Sequence, residues 1–495
     1  VKVDQLIAHL SREMPVTVGG DGADRTVILG LAYHSARVSP GDLFAALPGT
    51  RDDGSRHIPE AVERGASAIL HQSDGECKAF WAPPVPLLGV PDVRRALALA
   101  ADLFWKQPSR ETTVVGITGT NGKTTLTYLT EGMVRAAGKR CGVMGTIAYR
   151  LGEESMVAEM TTPEAPEFQR ILRWMVNSGA QVIAAEVSSH ALLQRRVDAT
   201  RFAFGIFTNL SQDHLDFHGD MESYYRAKRR LFQEFEIEAA VINVDDPWGL
   251  RLSGEALGEI ITTGHGPQAA IRPLRESVTP AGIRLDLEVP GGRLEVESPL
   301  LGAHNALNLL QAAALGWRLG LPGEAIREGL SSVRLVPGRL ERVSREGEPL
   351  VVVDYAHTPD ALEKLLAGTR PLATGKLLLV FGCGGDRDRG KRAVMGAVAT
   401  AADETFITSD NPRSEDPAAI IGAIETGYRR ERSVGCHVVP DRRSAIREAI
   451  NLAVAGDVVV IAGKGHEDYQ ILGRERIRFD DREEARRCLD QRAAR

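Results

Sequence analysis

The residue types best suited to chemistry come in one run, Thr118-Gly119-Thr120-Asn121-Gly122-Lys123-Thr124-Thr125, which follows the apolar Val114-Val115-Gly116-Ile117. Glycines let backbone N–H groups curl around phosphate oxygens, and a helix that follows turns its positive end towards them. Lys123 adds a point charge and Thr124 a hydroxyl suited to Mg²⁺. A nucleotide triphosphate is the ligand such a run suits. The spacing departs from the strict phosphate loop, because Ile117 stands where the first glycine is usual and the glycine falls at Gly119.

Three more runs carry reactive groups. Glu186 closes the apolar stretch 181–185 and so falls at the carboxyl end of an expected strand, where a carboxylate can hold Mg²⁺. The serines after it, Ser188 and Ser189, suit a helix cap as well as a site. Residues 209–218 put two Asp and two His into one loop, fit for metal or phosphate contact or for capping a helix. His214 and His218 have the spacing of a zinc-hydrolase helix, yet Leu215 stands where that chemistry needs glutamate, which excludes it. Lys228 lies three or four positions from Tyr224, Tyr225, Leu231 and Phe232, on the apolar stripe of its helix. Two accounts of it stand: a snorkelling side chain, which the residue types alone favour, or a buried neutral amine that CO₂ carbamylates into an anionic metal ligand.

In the last third, residues 382–392, 410–413 and 463–467 each follow a strand-like stretch. Arg387 and Arg413 could grip carboxylates and Glu467 an ammonium, so together they suit a zwitterion.

Positioning these groups takes more than one core. A chain of 495 residues exceeds what one core supports, and three domains are expected. Residues 1–109 read as a small mixed α/β unit, with strands at 43–47 and 68–70 and a helix from Val93 that Pro108 ends. Residues 110–336 alternate strands and helices as a mostly parallel sheet of phosphate-loop type, with antiparallel strands added between 261 and 298 and a helix over 303–319. Residues 337–495 alternate again, as a Rossmann-like α/β unit whose unusual residues follow the carboxyl ends of its strands.

Composition limits the function classes. Hydrophobic content of 43% and charged content of 25% are those of an ordinary soluble chain. A net charge of −6 argues against a general nucleic-acid binder. Five scattered cysteines without C-x-x-C spacing suggest neither a disulfide framework nor zinc, and no apolar run approaches the roughly 20 residues of a membrane span. The expectation is a cytoplasmic monomer.

With these runs side by side, the sequence closely resembles the Mur ligase family, the ATP-dependent amide-forming enzymes of peptidoglycan precursor synthesis, nearly end to end. The resemblance rests on residues 118–125, Glu186-Val187-Ser188-Ser189-His190, residues 209–218, Gly302-Ala303-His304-Asn305, Pro337-Gly338-Arg339 and Asp354-Tyr355-Ala356-His357. Asp410-Asn411-Pro412-Arg413 matches the form that takes meso-diaminopimelate rather than lysine.

The resemblance implies ATP and Mg²⁺, and addition of meso-diaminopimelate to UDP-N-acetylmuramoyl-L-alanyl-D-glutamate through an acyl phosphate. It implies that Gly119, Thr120, Asn121, Gly122, Lys123, Thr124, Thr125, Asn305, Arg339 and Asp354 serve ATP. Catalysis then falls to Lys123, Glu186, His214 and Lys228, with Thr124, Glu186, His214 and a carbamylated Lys228 around the metal. Ser35, Thr50, Arg51 and Asp52 would meet the uridine end of the substrate, and Thr161, Thr162, Ser188, Gln194 and Arg196 its peptide end. Arg387, Asp410, Asn411, Pro412, Arg413, Gly463 and Glu467 would receive the amino acid. A lysine-adding or folylpolyglutamate-type ligase, or a phosphate-loop ATPase, is the alternative.

Overall fold

The structure, a computed structural model, describes residues 1–49, 53–73, 84–289, 292–345 and 347–493. In the first part, the strands Thr17–Gly19, Leu87–Val90, Ala68–Gln72, Asp42–Ala46 and Gly30–Ala32 lie side by side in that order, parallel except for Thr17–Gly19. The helix Val93–Phe104 covers one face, with Val93, Ala96, Leu97 and Ala100 packed on Leu43 and Leu70. It ends at Phe104 rather than at Pro108. Lys106 and Gln107 turn left-handed, at φ 61° and 54°, which no α-helix continues through, and Pro108 opens a separate 3₁₀ turn.

The central sheet has eight strands: Glu259–Thr263, Ala239–Asn243, Phe204–Phe207, Thr113–Thr118, Val182–Glu186, Cys141–Met144, Ala148–Leu151 and Glu154–Val157. The first six run parallel, and the last two turn back as an antiparallel meander. Period-two alternation builds a core on each face. Val115 and Ile117 pack towards Leu126 and Leu309 of the helices Lys123–Ala136 and Ala303–Arg318, while Val114 belongs to the opposite core with Phe168 and Phe202. Thr113–Thr118 sits between Phe204–Phe207 and Val182–Glu186, with Phe207 paired to Thr118 and Glu186 to Ile117. Three strand ends therefore converge where the chain order reverses, the place where such sheets collect ligands. The region expected to add antiparallel strands does so, as Arg272–Thr279, Gly282–Val289 and Gly292–Ser298.

The last sheet runs Glu341–Arg342, Leu350–Asp354, Val458–Ala462, Leu377–Phe381, Glu404–Ile407 and Cys436–Val438, parallel except for the first pair. Val351 and Val353 face Ala445 and Ile446 on one side; Val352 and Leu379 face Leu362 and Leu365 on the other. Asp354 pairs with Ala462, and Phe381 with Ile407, so the loops that follow these strands leave one common edge. Among the described residues, no helix is long and apolar enough to cross a membrane.

Candidate active site

A cleft of about 450 Å³ lies between the carboxyl edge of the central sheet and the residues around Arg339 and Asp354. Its floor is the glycine loop. Gly119 stands at φ 146°, and a Cβ there would meet Thr208 Oγ1 at 1.8 Å, so only glycine fits that close crossing. Asn209 fixes the loop from the neighbouring strand end: its carbonyl accepts Thr120 N–H at 2.9 Å and its Oδ1 accepts Asn121 N–H at 3.1 Å. Thr208 Oγ1 donates to the Asn121 carbonyl at 2.6 Å. The helix Lys123–Ala136 begins after Gly122 with no side chain capping it, which leaves its first N–H groups for a ligand. Lys123 folds back, donating to the carbonyls of Gly119 and Thr120 at 2.9 Å each. Burial lowers its pKa, Glu186 opposes that shift and Arg339 adds to it.

Glu186 is buried at the end of its strand, its Oε1 accepting Thr146 N–H and its Oε2 the Thr146 hydroxyl, both at 3.0 Å. Both partners are neutral donors, so no cation is hydrogen-bonded to this carboxylate among the described residues. Ser188, rather than Ser189, caps the next helix, its Oγ accepting Ala191 N–H at 3.1 Å. Ser189 Oγ instead pairs with His218 Nε2 at 2.9 Å. His214 lines the cleft in a left-handed turn at φ 54°, 3.4 Å from Asp213 Oδ2. His190 lies edge-on to it with ring centroids 4.8 Å apart, and burial, reinforced by His214 and His218, pushes the His190 pKa down to about 4.

Lys228 is only 1% exposed. Its Nζ donates to the Gly119 carbonyl at 2.8 Å and lies 4.7 Å from the centre of the Tyr224 ring. Burial, reinforced by Lys123, holds its pKa well below that of an ordinary lysine. The snorkelling account therefore fails, because the amine ends under the phosphate loop and not in water.

The facing wall comes from beyond residue 336. Arg339 Nη2 reaches Thr124 Oγ1 at 3.3 Å, and its guanidinium lies 4.8 Å from the centre of the Tyr355 ring. Asp354 is fixed by Leu340 N–H at 2.7 Å and Ala356 N–H at 2.8 Å. Among the described residues, Arg339 Nε and Asn121 Nδ2 are buried donors without acceptors at this cleft, as expected where an anion belongs. Asn305 is set back: its Oδ1 accepts Asn308 Nδ2 at 2.9 Å, and Asn308 lines the cleft in front of it, with Gln311 beside it. Thr146, Asn308 and Gln311 are site residues that the motifs missed. Asn308 and Gln311 follow Asn305 at helical spacing, the only signal that could have found them.

At the far edge of the last sheet the loops 382–392, 410–413 and 463–467 come together. Arg413, left-handed at φ 53°, donates from Nη1 to the Gly385 carbonyl at 2.8 Å. Asn411 Nδ2 donates to Glu467 Oε2 at 3.0 Å; Gly463, at φ 115°, lets Asp410 approach, since a Cβ there would stand 2.7 Å from Asp410 Oδ2. Pro412 packs on Gly385, whose added Cβ would meet the Pro412 carbonyl oxygen at 1.8 Å. Arg387 is exposed and donates to the Asp386 carbonyl at 3.1 Å. These loops abut the cleft wall: Gly338 packs on His466, and Gly465 on Tyr355.

Around the remaining candidates, Thr162 Oγ1 donates to the Glu186 carbonyl at 2.8 Å and Thr161 lines the cleft. Arg196 ties Gln194 at 2.6 Å to the Thr162 carbonyl at 2.8 Å and to Glu164 at 2.9 Å. Ser35 is buried in the first sheet's domain, opening a 3₁₀ turn. Thr50, Arg51 and Asp52 lie outside the described residues.

Comparison with known proteins agrees with this layout. Family models described as the Mur ligase family catalytic domain, the Mur ligase middle domain and the Mur ligase glutamate ligase domain match residues 27–105, 117–316 and 338–465. The UDP-N-acetylmuramoyl-L-alanyl-D-glutamate–2,6-diaminopimelate ligase of Gloeobacter violaceus is 49% identical over 471 residues, 94% of this chain and 95% of that one. Its counterpart from Geobacter metallireducens is 47% identical over 481 residues, 92% of this chain and 93% of that one. A solved structure of a ligase with the same name superimposes with a TM-score of 0.69 at 33% identity, over 96% of this chain and 97% of that one. The chain belongs to the Mur ligase family.

Proposed function

We propose that this chain is an ATP-dependent ligase that joins meso-diaminopimelate to the D-glutamate γ-carboxylate of UDP-N-acetylmuramoyl-L-alanyl-D-glutamate. One observation carries the reading. The phosphate-loop cleft is walled by Arg339 and Asp354, and that wall packs directly against the loop 463–467, which carries Glu467 beside Asn411. A phosphorylating site and an amine-delivering site thus share one wall. The names of the relatives give the substrate pair.

In this reading residues 1–109 take the uridine end, 110–336 bind ATP and 337–495 bring the amino acid. The γ-carboxylate attacks the terminal phosphate of ATP, giving an acyl phosphate and ADP. The amine of meso-diaminopimelate then attacks the acyl carbon, and phosphate leaves. Thr124, Glu186, His214 and a carbamylated Lys228 are the residues that would hold Mg²⁺, whose charge offsets that of the phosphates. The buried Glu186, hydrogen-bonded only to neutral donors among the described residues, and the neutral-leaning Lys228 fit that part. Lys123 gives up its loop carbonyls for phosphate oxygens, and the N–H groups after Gly122 share the negative charge. Arg339 places a guanidinium on the phosphates from the opposite wall, and Arg413 binds the second carboxylate of the amino acid.

The test is ADP release from the purified protein with ATP and Mg²⁺. Release should need both the UDP-dipeptide and meso-diaminopimelate, with L-lysine a poor replacement; release indifferent to the amino acid would overturn the reading in favour of an ATPase. Arg413→Ala should raise the KM for meso-diaminopimelate by about 10- to 100-fold and narrow its advantage over lysine, since a charge-assisted pair contributes about 1.5–3 kcal/mol.

A further inference from the structure

Lys464 shows no exposed side-chain surface and touches no open part of the cleft, yet it stands in the same loop as Gly463 and Glu467. We propose that Lys464 is a positioning residue for the incoming amino acid, holding Asp410, Asn411 and Glu467 in one fixed arrangement. This rests on the reading above that the loops 410–413 and 463–467 receive that substrate.

The geometry is that of a hub. Lys464 Nζ donates to Asn411 Oδ1 at 2.9 Å and to the Tyr469 carbonyl at 2.8 Å. It stands 3.4 Å from Asp410 Oδ1 and 3.8 Å from Glu467 Oε2. Asn411 carries the hold further: its Oδ1 also accepts Ile471 N–H at 2.9 Å, and its Nδ2 donates to Glu467 Oε2 at 3.0 Å. The Asn411 amide oxygen is therefore spent inside the protein, and one of its N–H groups orients Glu467.

Charge explains why a lysine is needed. One ammonium between two carboxylates leaves one negative charge, the complement of one substrate ammonium. Without Lys464, the like charge of Asp410 would add to burial in raising the Glu467 pKa and weaken its hold on a cation. Burial already raises the Glu467 pKa, with Lys464 as the main opposing influence.

The experiment compares Lys464→Gln, which keeps a donor without the charge, with Lys464→Arg, which keeps the charge. Each is assayed by amino-acid-dependent ADP release alongside its melting temperature. Lys464→Gln should raise the KM for meso-diaminopimelate by about 10-fold or more while the KM values for ATP and the UDP-dipeptide stay within about 2-fold, and Lys464→Arg should recover most of the loss. Asn411→Leu, which cuts the link from Lys464 to Glu467, should show the same selective rise and serves if Lys464→Gln does not fold. An unchanged KM for meso-diaminopimelate, or a parallel rise for all three substrates, overturns the proposal. Glu467→Gln separates the two layers. If it leaves the KM for meso-diaminopimelate unchanged, the assignment of the loops fails; if it raises that KM while Lys464→Gln and Asn411→Leu do not, only the role of Lys464 fails.

Discussion

Lys228 shows how much one residue's meaning depends on where its last atom ends. Its spacing put it on an apolar stripe, where the residue types alone favour snorkelling over burial of the amine. The structure places Nζ 2.8 Å from the Gly119 carbonyl, beneath the loop and shielded from water. A lysine so placed is deprotonated more readily, and the neutral amine is the form that reacts with CO₂. Lys228→Ala is expected to lower kcat by about 10²- to 10³-fold, the size of losing one electrostatic group at a reacting centre, with partial rescue by added acetate. Normal turnover in that variant would remove Lys228 from the mechanism.

Among the elements, the turn into Lys123–Ala136 has no room for a side chain at Gly119. An alanine at position 119 would drive its Cβ into Thr208 Oγ1 in a backbone conformation that L residues avoid. Gly119→Ala should therefore cost about 2 kcal/mol or more and raise the KM for ATP, read together by thermal melting and steady-state kinetics. A second element-level device lies at the rim of the cleft. His265 joins Asp245 at 2.6 Å, on the loop after Ala239–Asn243, to Glu276 at 2.9 Å, on the strand Arg272–Thr279. Burial lowers its pKa, but the hydrogen bonds it donates to Asp245 and Glu276 outweigh that and raise it above 6.5. A raised pKa in the folded state means that the stabilisation is full below about 6.5 and fades as pH rises through the folded value. The melting-temperature gap between the native chain and His265→Gln should thus narrow with rising pH, and an NMR titration of the imidazole should give a midpoint above 6.5. A gap that widens with pH would contradict the bridge.

At the scale of the whole molecule, the cleft exists only because separate sheets meet. Arg339 crosses from beyond residue 336 to Thr124, a separation of 215 positions in the chain. Arg195 and Asp92, paired at 2.6 Å, join the first sheet's domain to the central one. Arg339→Ala should raise the KM for ATP by about 10-fold or more while leaving the melting temperature nearly unchanged, because its contacts are few and partly exposed to the cleft. Equal losses of stability and of ATP binding would instead make Arg339 part of the packing.

The sequence by itself determined the local parts: the glycine loop, the strands that precede each reactive run, the apolar stripe under Lys228 and the three-part division of the chain. These follow from periodicity and from short-range turn chemistry, which act over a few residues. The family followed from the same runs. The tertiary structure decided which groups meet. Asn308 rather than Asn305 fronts the cleft, Asn411 is tied to Lys464 and Glu467, and the loop 463–467 shares a wall with Arg339. Such pairings join residues tens to hundreds of positions apart through sheet order and register, and spacing along the chain carries no record of either.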